Sequence, residues 1–102
     1  MNPELMKFVE WLLRRNIHFV VTSAFRTQEQ NDACNGAKNS QHLTGDAIDL
    51  QPLSLSVDAF ISEVINSSFK YDQLIQYRNF IHISFARGRQ PRQMELNFTD
   101  RK

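Results

Sequence analysis

The sequence is short of the features that mark several classes of protein. Its 102 residues include one cysteine, so no internal disulfide can form and nothing indicates oxidative secretion. The formal net charge is only +1, which gives no electrostatic reason to expect nucleic-acid binding. No apolar run is long enough to cross a bilayer. We therefore expect a soluble protein without a nucleic-acid or membrane partner.

The N-terminus is unlike a signal peptide, because Glu4, Lys7 and Glu10 interrupt its apolar pattern. This predicts a cytoplasmic protein in the cell that makes it, with export to the cell wall by another route left open. Apolar residues make up 41% of the chain and charged residues 23%, an ordinary balance for a globular domain. We expect one domain over residues 1–102, which acts as a monomer.

Apolar periodicity predicts the element order α-β-α-β-α-β-β-β. Helices are expected at 2–16, 27–35 and 56–68, and strands at 17–23, 47–51, 71–77, 80–86 and 93–98. The predicted buried stripes of the first and third helices are Leu5, Phe8, Val9, Leu12, Leu13, and Val57, Phe60, Ile61, Val64, Ile65. This order favours an α+β fold, with helices on one side of a mainly antiparallel sheet.

The stretch "NSQHLTGDAIDL" contains two potential metal ligands, His42 and Asp49. Alternation along the predicted strand places Asp49 on the face opposite Ile48 and Leu50. Gly45 permits a tight turn between the two candidates. An aspartate in a strand is costly to bury unless it is paired, and a metal would pair it. The alternative is an ordinary loop followed by a solvated aspartate.

A second histidine lies in "FIHISF", where His82 shares a face with Phe80 and Ser84. The other face carries Ile81, Ile83 and Phe85 and is the obvious core face, so His82 points away from the core. The alternative is a hydrogen-bonded strand histidine without a metal. That is our interpretation of His18, since nothing near it in "NIHFVV" supports chemistry.

Three segments together resemble the zinc D-Ala-D-Ala carboxypeptidases and L-Ala-D-Glu endopeptidases, which cut peptidoglycan stem peptides and include phage endolysins and D-Ala-D-Ala dipeptidases. "TSAFRTQEQN" is similar to the S-G-Y-R-[ST] segment of that family. "SQHLTGDAIDL" fits its S-x-H-x-x-G-x-A-x-D signature, and "YDQLIQYRNFIHISF" is similar to its F-D-Q-L-I…W-V-H-[IV]-S segment. The segments occur in the family's order, from Thr22 to Phe85.

The resemblance implies one Zn²⁺ per chain, bound by His42, Asp49 and His82 with water in the fourth position. It further implies that Arg26 binds a substrate carboxylate or stabilises the oxyanion, for which its planar fork is suited. Candidate residues that bind substrate or orient the ligands are Ser23, Ser40, Gln41 and Ser84. The implied fold is the small α+β, hedgehog-like fold of these peptidases, with the zinc on one face of an antiparallel sheet.

The chain departs from the family at the general base. The family has Glu or Asp shortly before the last histidine, where this chain has Tyr77 and Asn79. If residues 78 and 79 form a two-residue turn, Tyr77 lies diagonal to His82 and could donate a hydrogen bond to an oxyanion. Asp46 is the other candidate, with a solvated loop charge as its alternative, whereas Asp72 is expected to face away.

Three functions remain open from the sequence. The first is a zinc peptidase that hydrolyses stem peptides slowly, because a positioned base contributes about 10²–10⁴-fold to such rates. The second is a relative that binds cell-wall peptides without efficient cleavage. The third is a structural or interaction protein that reuses the fold.

Overall fold

The computed structural model describes residues 2–23 and 45–99. Within these ranges two helices and five strands form an α+β fold, as predicted. The helices are α1 (Pro3–Arg14) and α2 (Val57–Ile65), and the strands are β1 (Phe19–Ser23), β2 (Ala47–Pro52), β3 (Gln73–Gln76), β4 (Ile81–Ser84) and β5 (Met94–Asn97). The helix predicted at 27–35 lies outside the described residues.

The five strands form one sheet in the order β1-β2-β4-β3-β5. All neighbours are antiparallel except β3 and β5, which are parallel. The backbone N–H of Tyr77 donates to the carbonyl of Phe80 at 2.9 Å and closes a two-residue turn between β3 and β4. The predicted hairpin register is therefore confirmed, with Ile75 opposite His82.

Both helices begin where the sequence predicts. The side-chain oxygen of Asn2 accepts the backbone N–H of Glu4 at 2.9 Å at the start of α1. The hydroxyl of Ser56 accepts the N–H of Ala59 at 3.1 Å at the start of α2. Each contact satisfies one of the N–H groups that a helix leaves unpaired in its first turn, which fixes the residue at which the helix begins.

The core lies between the helices and one face of the sheet. It is formed mainly by Leu5, Phe8, Leu12, Phe60 and Val64 of the helices and by Ile48, Leu50, Leu74, Ile81, Ile83 and Phe85 of the sheet side. Two residues predicted to be buried are exposed: Leu13 is 61% exposed and Ile65 is 47% exposed. Each lies in the last turn of its helix, off the narrow strip that contacts the sheet.

The connection from β4 to β5 begins and ends beside Gln73, the first residue of β3. Both Ser84, at the end of β4, and Met94, at the start of β5, pair with Gln73. The connecting residues 85–93 are held there by Asp72, whose fully buried carboxylate accepts hydrogen bonds from Arg89 at 2.6 Å and from Arg92 at 2.8 Å. The buried charge thus fixes the path that brings β5 to the edge of the sheet.

The two guanidinium groups change the titration of the buried carboxylate. Hydrogen bonding from Arg89, with that from Arg92, lowers the pKa of Asp72 well below its usual range, although burial alone would raise it. Because the folded pKa is depressed, the ionised carboxylate contributes stability above the unfolded pKa of about 3.9, and this contribution is lost as the pH falls below that value.

We predict that Asp72→Asn lowers the free energy of unfolding at pH 7 by about 1.5–3 kcal/mol, the usual contribution of hydrogen bonds to a charged group. Urea denaturation at several pH values measures the effect. The difference from wild type should shrink below about pH 4, where wild type loses its own contribution. Asp58→Asn is the matched control, since Asp58 makes an exposed contact with Gln76. A difference that stays constant from pH 7 to pH 3 would contradict the stabilising role of the ionised Asp72 carboxylate.

Candidate metal centre

Asp49 and His82 meet in the middle of the sheet. They are directly opposite each other on β2 and β4, and 3.0 Å separates Oδ1 of Asp49 from Nδ1 of His82. Their side chains are only 12% and 13% exposed. Both point away from the face that carries Ile48 and Ile83, as predicted from strand alternation. Two polar side chains are therefore paired at a shielded position on the face opposite the helices.

Local structure around β2 holds Asp49 in this register. Gly45, just before the strand, has a φ of 75°, a conformation that glycine adopts without strain. Its carbonyl accepts the backbone N–H of Asn2 at 2.9 Å, which ties the start of β2 to the start of α1. On the other side, the hydroxyl of Thr22 donates to the carbonyl of Asp49 at 3.3 Å.

Asp49 and His82 belong to a row of residues that runs across all five strands. Its members, from β1 to β5, are Ser23, Asp49, His82, Ile75 and Leu96. The row is polar on the β1 side and apolar on the β5 side. Ser23, predicted to bind substrate, lies beside Asp49 and is half-buried.

The donor atoms of this pair are suited to a metal ion. A carboxylate oxygen and an imidazole nitrogen are typical zinc ligands, and a catalytic zinc site takes three protein ligands and a water. Within residues 2–23 and 45–99, no three His, Cys, Asp or Glu side chains form a metal-binding cluster. The third predicted ligand, His42, lies outside those ranges, as do Arg26, Ser40 and Gln41. The described residues thus bring together two of the three predicted ligands.

Ser84 lies two residues beyond His82 on the same strand face. It is fully buried, and its hydroxyl accepts the backbone N–H of Gln73 at 3.1 Å. Ser84 also pairs with Ala47 of β2. These contacts suit a residue that fixes the positions of neighbouring strands, whereas direct contact with a substrate would require the site to open. The predicted role of Ser84 in substrate binding stays a prediction.

Asp46 is held on the helix side of the sheet. The N–H of Phe85 donates to the carbonyl of Asp46 at 2.9 Å, so Asp46 lies opposite a core residue. Its carboxylate accepts hydrogen bonds from Arg87 at 2.8 Å and from Asn2 at 3.2 Å. These contacts favour a structural role, and the predicted role as a general base stays a prediction.

Tyr77 lies diagonal to His82, in the register predicted for it. Its ring stacks on Phe80 with 4.4 Å between centroids and an angle of 10° between planes. Phe98 lies against Tyr77 at 5.9 Å and 53°. The phenol ring is therefore fixed between neighbours on both sides, next to the row that contains His82.

The carboxylates of the described residues, apart from Asp49, all have partners other than His82. They are Glu4 with Lys7, Glu10 with Arg14, Asp46 with Arg87, Asp58 with Gln76, Glu63 with Arg15, Asp72 with Arg89 and Arg92, and Glu95 with the hydroxyl of Tyr71. The three arginines of "ARGRQPR" are partners of buried aspartates that were not predicted from the sequence. The clue in the sequence was that three arginines lie close together after a strand, and this strand ends near two aspartates.

Comparison with known protein families identifies the family to which the chain belongs. The family model for peptidase M15 matches residues 2–84, and the chain belongs to the peptidase M15 family. This confirms the resemblance seen in the three sequence segments. A comparison with curated proteins found no match. No helix among the described residues is long and apolar enough to cross a membrane.

We predict that Asp46→Asn lowers stability without changing the turnover of the protein that remains folded, because Arg87 and Asn2 bind its carboxylate on the helix side. The expected loss is about 1.5–3 kcal/mol, as for other hydrogen bonds to a charged group. Urea denaturation and peptide hydrolysis, measured on the same preparation, separate the two roles. A fall in turnover of about a hundredfold at unchanged stability would instead identify Asp46 as the base.

Proposed function

We propose that the chain is a zinc peptidase that hydrolyses amide bonds in peptidoglycan stem peptides, with the hedgehog-like fold of the D-Ala-D-Ala peptidases. Membership of the peptidase M15 family supports a metallopeptidase. The observation that carries the proposal is the contact of 3.0 Å between Asp49 and His82 on the face away from the core. Both residues occupy signature positions, and a carboxylate would be costly to place there without a partner.

The proposed zinc ligands are His42, Asp49 and His82, with one Zn²⁺ per chain. When bound at such a site, zinc acts as a Lewis acid that lowers the pKa of water and polarises a carbonyl. The chain's own contribution is to hold the two described ligands in one register and to shield them from solvent. Since both lie on paired strands, their separation is set by the sheet.

The remaining site residues are proposed to bind and orient the substrate. Arg26 would bind a substrate carboxylate or the developing oxyanion through two parallel hydrogen bonds. The hydroxyl of Tyr77 would donate a hydrogen bond to the same oxyanion. The residues proposed to position ligands or substrate are Ser23, Ser40, Gln41 and Ser84. The substrate is of the D-Ala-D-Ala carboxypeptidase or L-Ala-D-Glu endopeptidase type.

A second function, binding of stem peptides without efficient cleavage, has a specific observation in its favour. Among the described residues, each carboxylate other than Asp49 contacts a cation or a polar group other than His82, and the family's position for the base is occupied by Tyr77 and Asn79. Without a positioned base the rate should be lower by about 10²–10⁴-fold than in relatives that have one. Hydrolysis must therefore be followed over long incubations, because only then can a slow peptidase be distinguished from a protein that binds stem peptides without efficient cleavage.

We predict that both zinc binding and peptide hydrolysis require Asp49 and His82. Asp49→Ala and His82→Ala should each lower the zinc content of purified protein well below one per chain, because each removes one of three ligands. Zinc is measured by elemental analysis, and hydrolysis of D-Ala-D-Ala and L-Ala-D-Glu peptides by mass spectrometry. Chelation should lower the melting temperature of wild type, since metal binding stabilises the folded state.

His18→Ala is the control for the loss of a histidine. The backbone N–H of His18 donates to the hydroxyl of Ser54 at a position exposed to solvent, and the side chain of His18 is not proposed as a ligand. Its zinc content and activity should equal those of wild type. Unchanged zinc stoichiometry in Asp49→Ala would remove Asp49 from the ligand set. Zinc-loaded wild type that binds stem peptides but releases no product would favour the second function.

We predict that Arg26→Lys lowers kcat/KM by at least about tenfold while the zinc content stays intact, because lysine keeps the charge and loses the bidentate fork. Steady-state kinetics with a stem peptide that ends in a free carboxylate measures the effect. The same variant should show a smaller loss on the corresponding peptide amide. Kinetics equal to wild type on both peptides would exclude Arg26 from the site.

A further inference from the structure

A cavity of about 420 Å³ lies where two connections of the chain meet the first turn of α1. It is lined by residues 68–70 of the connection from α2 to β3, by Arg89 and Pro91 of the connection from β4 to β5, and by Glu4. Helix α1 packs on the face of the sheet away from the proposed metal ligands, so the cavity lies on the helix side. Ligand sites commonly have volumes of about 300–1,000 Å³, so the cavity has room for a small molecule.

Arg89 is fixed in this cavity by one edge of its guanidinium group. Nη1 and Nη2 donate to the buried carboxylate of Asp72 at 2.8 and 2.6 Å, and Nη1 also donates to the carbonyl of Gln90 at 3.3 Å. A guanidinium carries a further pair of N–H groups, on Nε and Nη2, which lie side by side on another edge. No contact within the described part of the chain engages this second edge, and the side chain is 46% exposed. The second edge is therefore preorganised to bind an anion through two hydrogen bonds.

Lys70 brings a second positive charge to the cavity. It is exposed and forms no ion pair with any other described residue. The backbone beside it is held on both sides, because the Phe69 ring packs edge-on against Phe8 with 5.5 Å between centroids, and Tyr71 is only 4% exposed. The ammonium thus lies at the end of a flexible side chain whose first atoms are fixed, which suits a charge that closes over a bound anion.

The charges around the cavity favour an anion, although the whole chain has a net charge of only +1. Two arginines bind the single carboxylate of Asp72, which leaves one positive charge uncompensated. Lys70 adds another. Glu4, the acidic residue that lines the cavity, is paired with Lys7 at 3.3 Å. The cavity is therefore a local concentration of positive charge, which attracts anions.

The donors suit a phosphate group better than a carboxylate. The second edge of Arg89 can bind two oxygens, and a carboxylate has no more than two. The ammonium of Lys70 and the exposed hydroxyl of Ser68 belong to the other connection, so they can donate to the remaining oxygens of a tetrahedral phosphate. Phe69 and Pro91 provide apolar surface for an organic group attached to the phosphate.

We propose that this cavity is an anion site that binds a phosphate group through Arg89, Lys70 and Ser68. The ligand is a phosphomonoester or one unit of a phosphodiester polymer, which share the phosphate that the site would recognise. The inference goes beyond the proposed peptidase function and does not rest on it. Since the cavity is on the helix side, such a ligand would bind without competing for Asp49 and His82.

The test is an NMR titration of ¹⁵N-labelled, zinc-loaded protein with inorganic phosphate. The amide signals of residues 68–70 and 89–92 should shift and saturate with a Kd of about 1 mM or lower, which a ligand of few atoms can reach in an open site. Lys70→Gln should raise the Kd at least about tenfold, because it removes a charge-assisted hydrogen bond. Glu4→Gln should lower the Kd, because it removes the negative charge beside the site. Acetate should bind more weakly than phosphate.

Two variants are matched controls. Arg14→Gln removes the same charge as Lys70→Gln from an exposed pair with Glu10 elsewhere on the surface, and it should leave the Kd within about twofold because distant exposed charges are screened. Asp49→Ala, which removes a proposed zinc ligand, should also keep the Kd of wild type. Circular dichroism confirms that each variant is folded, and the opposite effect of Glu4→Gln tests the site if Lys70→Gln does not fold.

The outcomes separate this inference from the proposed function. Phosphate binding that does not saturate, that Lys70→Gln and Arg14→Gln weaken equally, or that Asp49→Ala abolishes overturns the inference. Wild type that fails to cleave stem peptides but keeps the phosphate site overturns the peptidase function alone. Titration with glycerol phosphate and with a glycerol phosphate polymer identifies the source. Tighter binding of the monoester supports a small ligand, and tighter binding of the polymer, counted per phosphate, supports a phosphodiester chain.

Discussion

The register between β2 and β4 is the constraint on which the site depends. Asp49 faces His82 only because Leu50 pairs with Ile81 and Ile48 with Ile83. A slip of one residue would turn the polar pair into the core and expose the aliphatic residues that now pack beneath the helices. The burial of apolar side chains on one face therefore fixes the placement of the polar pair on the other. Core packing and site geometry are two consequences of the same alternation.

The connection that follows β4, residues 85–93, is positioned by buried charges. Two aspartates, Asp46 and Asp72, are buried next to it, and each is compensated by arginines that come from the connection itself. Replacing such buried pairs with apolar residues often costs nothing, so we infer that these pairs serve mainly to specify one path for the chain. The path matters because it brings β5 into parallel pairing with β3 at the edge of the sheet.

The sequence predicted most of what is local and little of what depends on distant pairing. Capping predicted the helix starts at Asn2 and Ser56, and turn chemistry predicted the two-residue turn after Tyr77. Strand alternation predicted that Asp49 and His82 point away from the core. All three predictions are confirmed. The arginine partners of Asp46 and Asp72 depend on the strand order, which alternation leaves open. The exposure of Leu13 and Ile65 depends on how wide a strip of each helix meets the sheet, which periodicity overestimates.

The tight turn between β3 and β4 has a consequence for the order in which the site forms. A hairpin with a two-residue loop forms in about 1–10 μs, because little chain entropy is lost in closing it. The pairing of Asp49 with His82, in contrast, joins residues 33 apart in sequence and must await closure of a much longer loop. We expect His82 to reach its final strand environment early in folding and Asp49 late. The site would then acquire any affinity for a metal late in folding, when β2 docks beside the β3–β4 hairpin that has already formed.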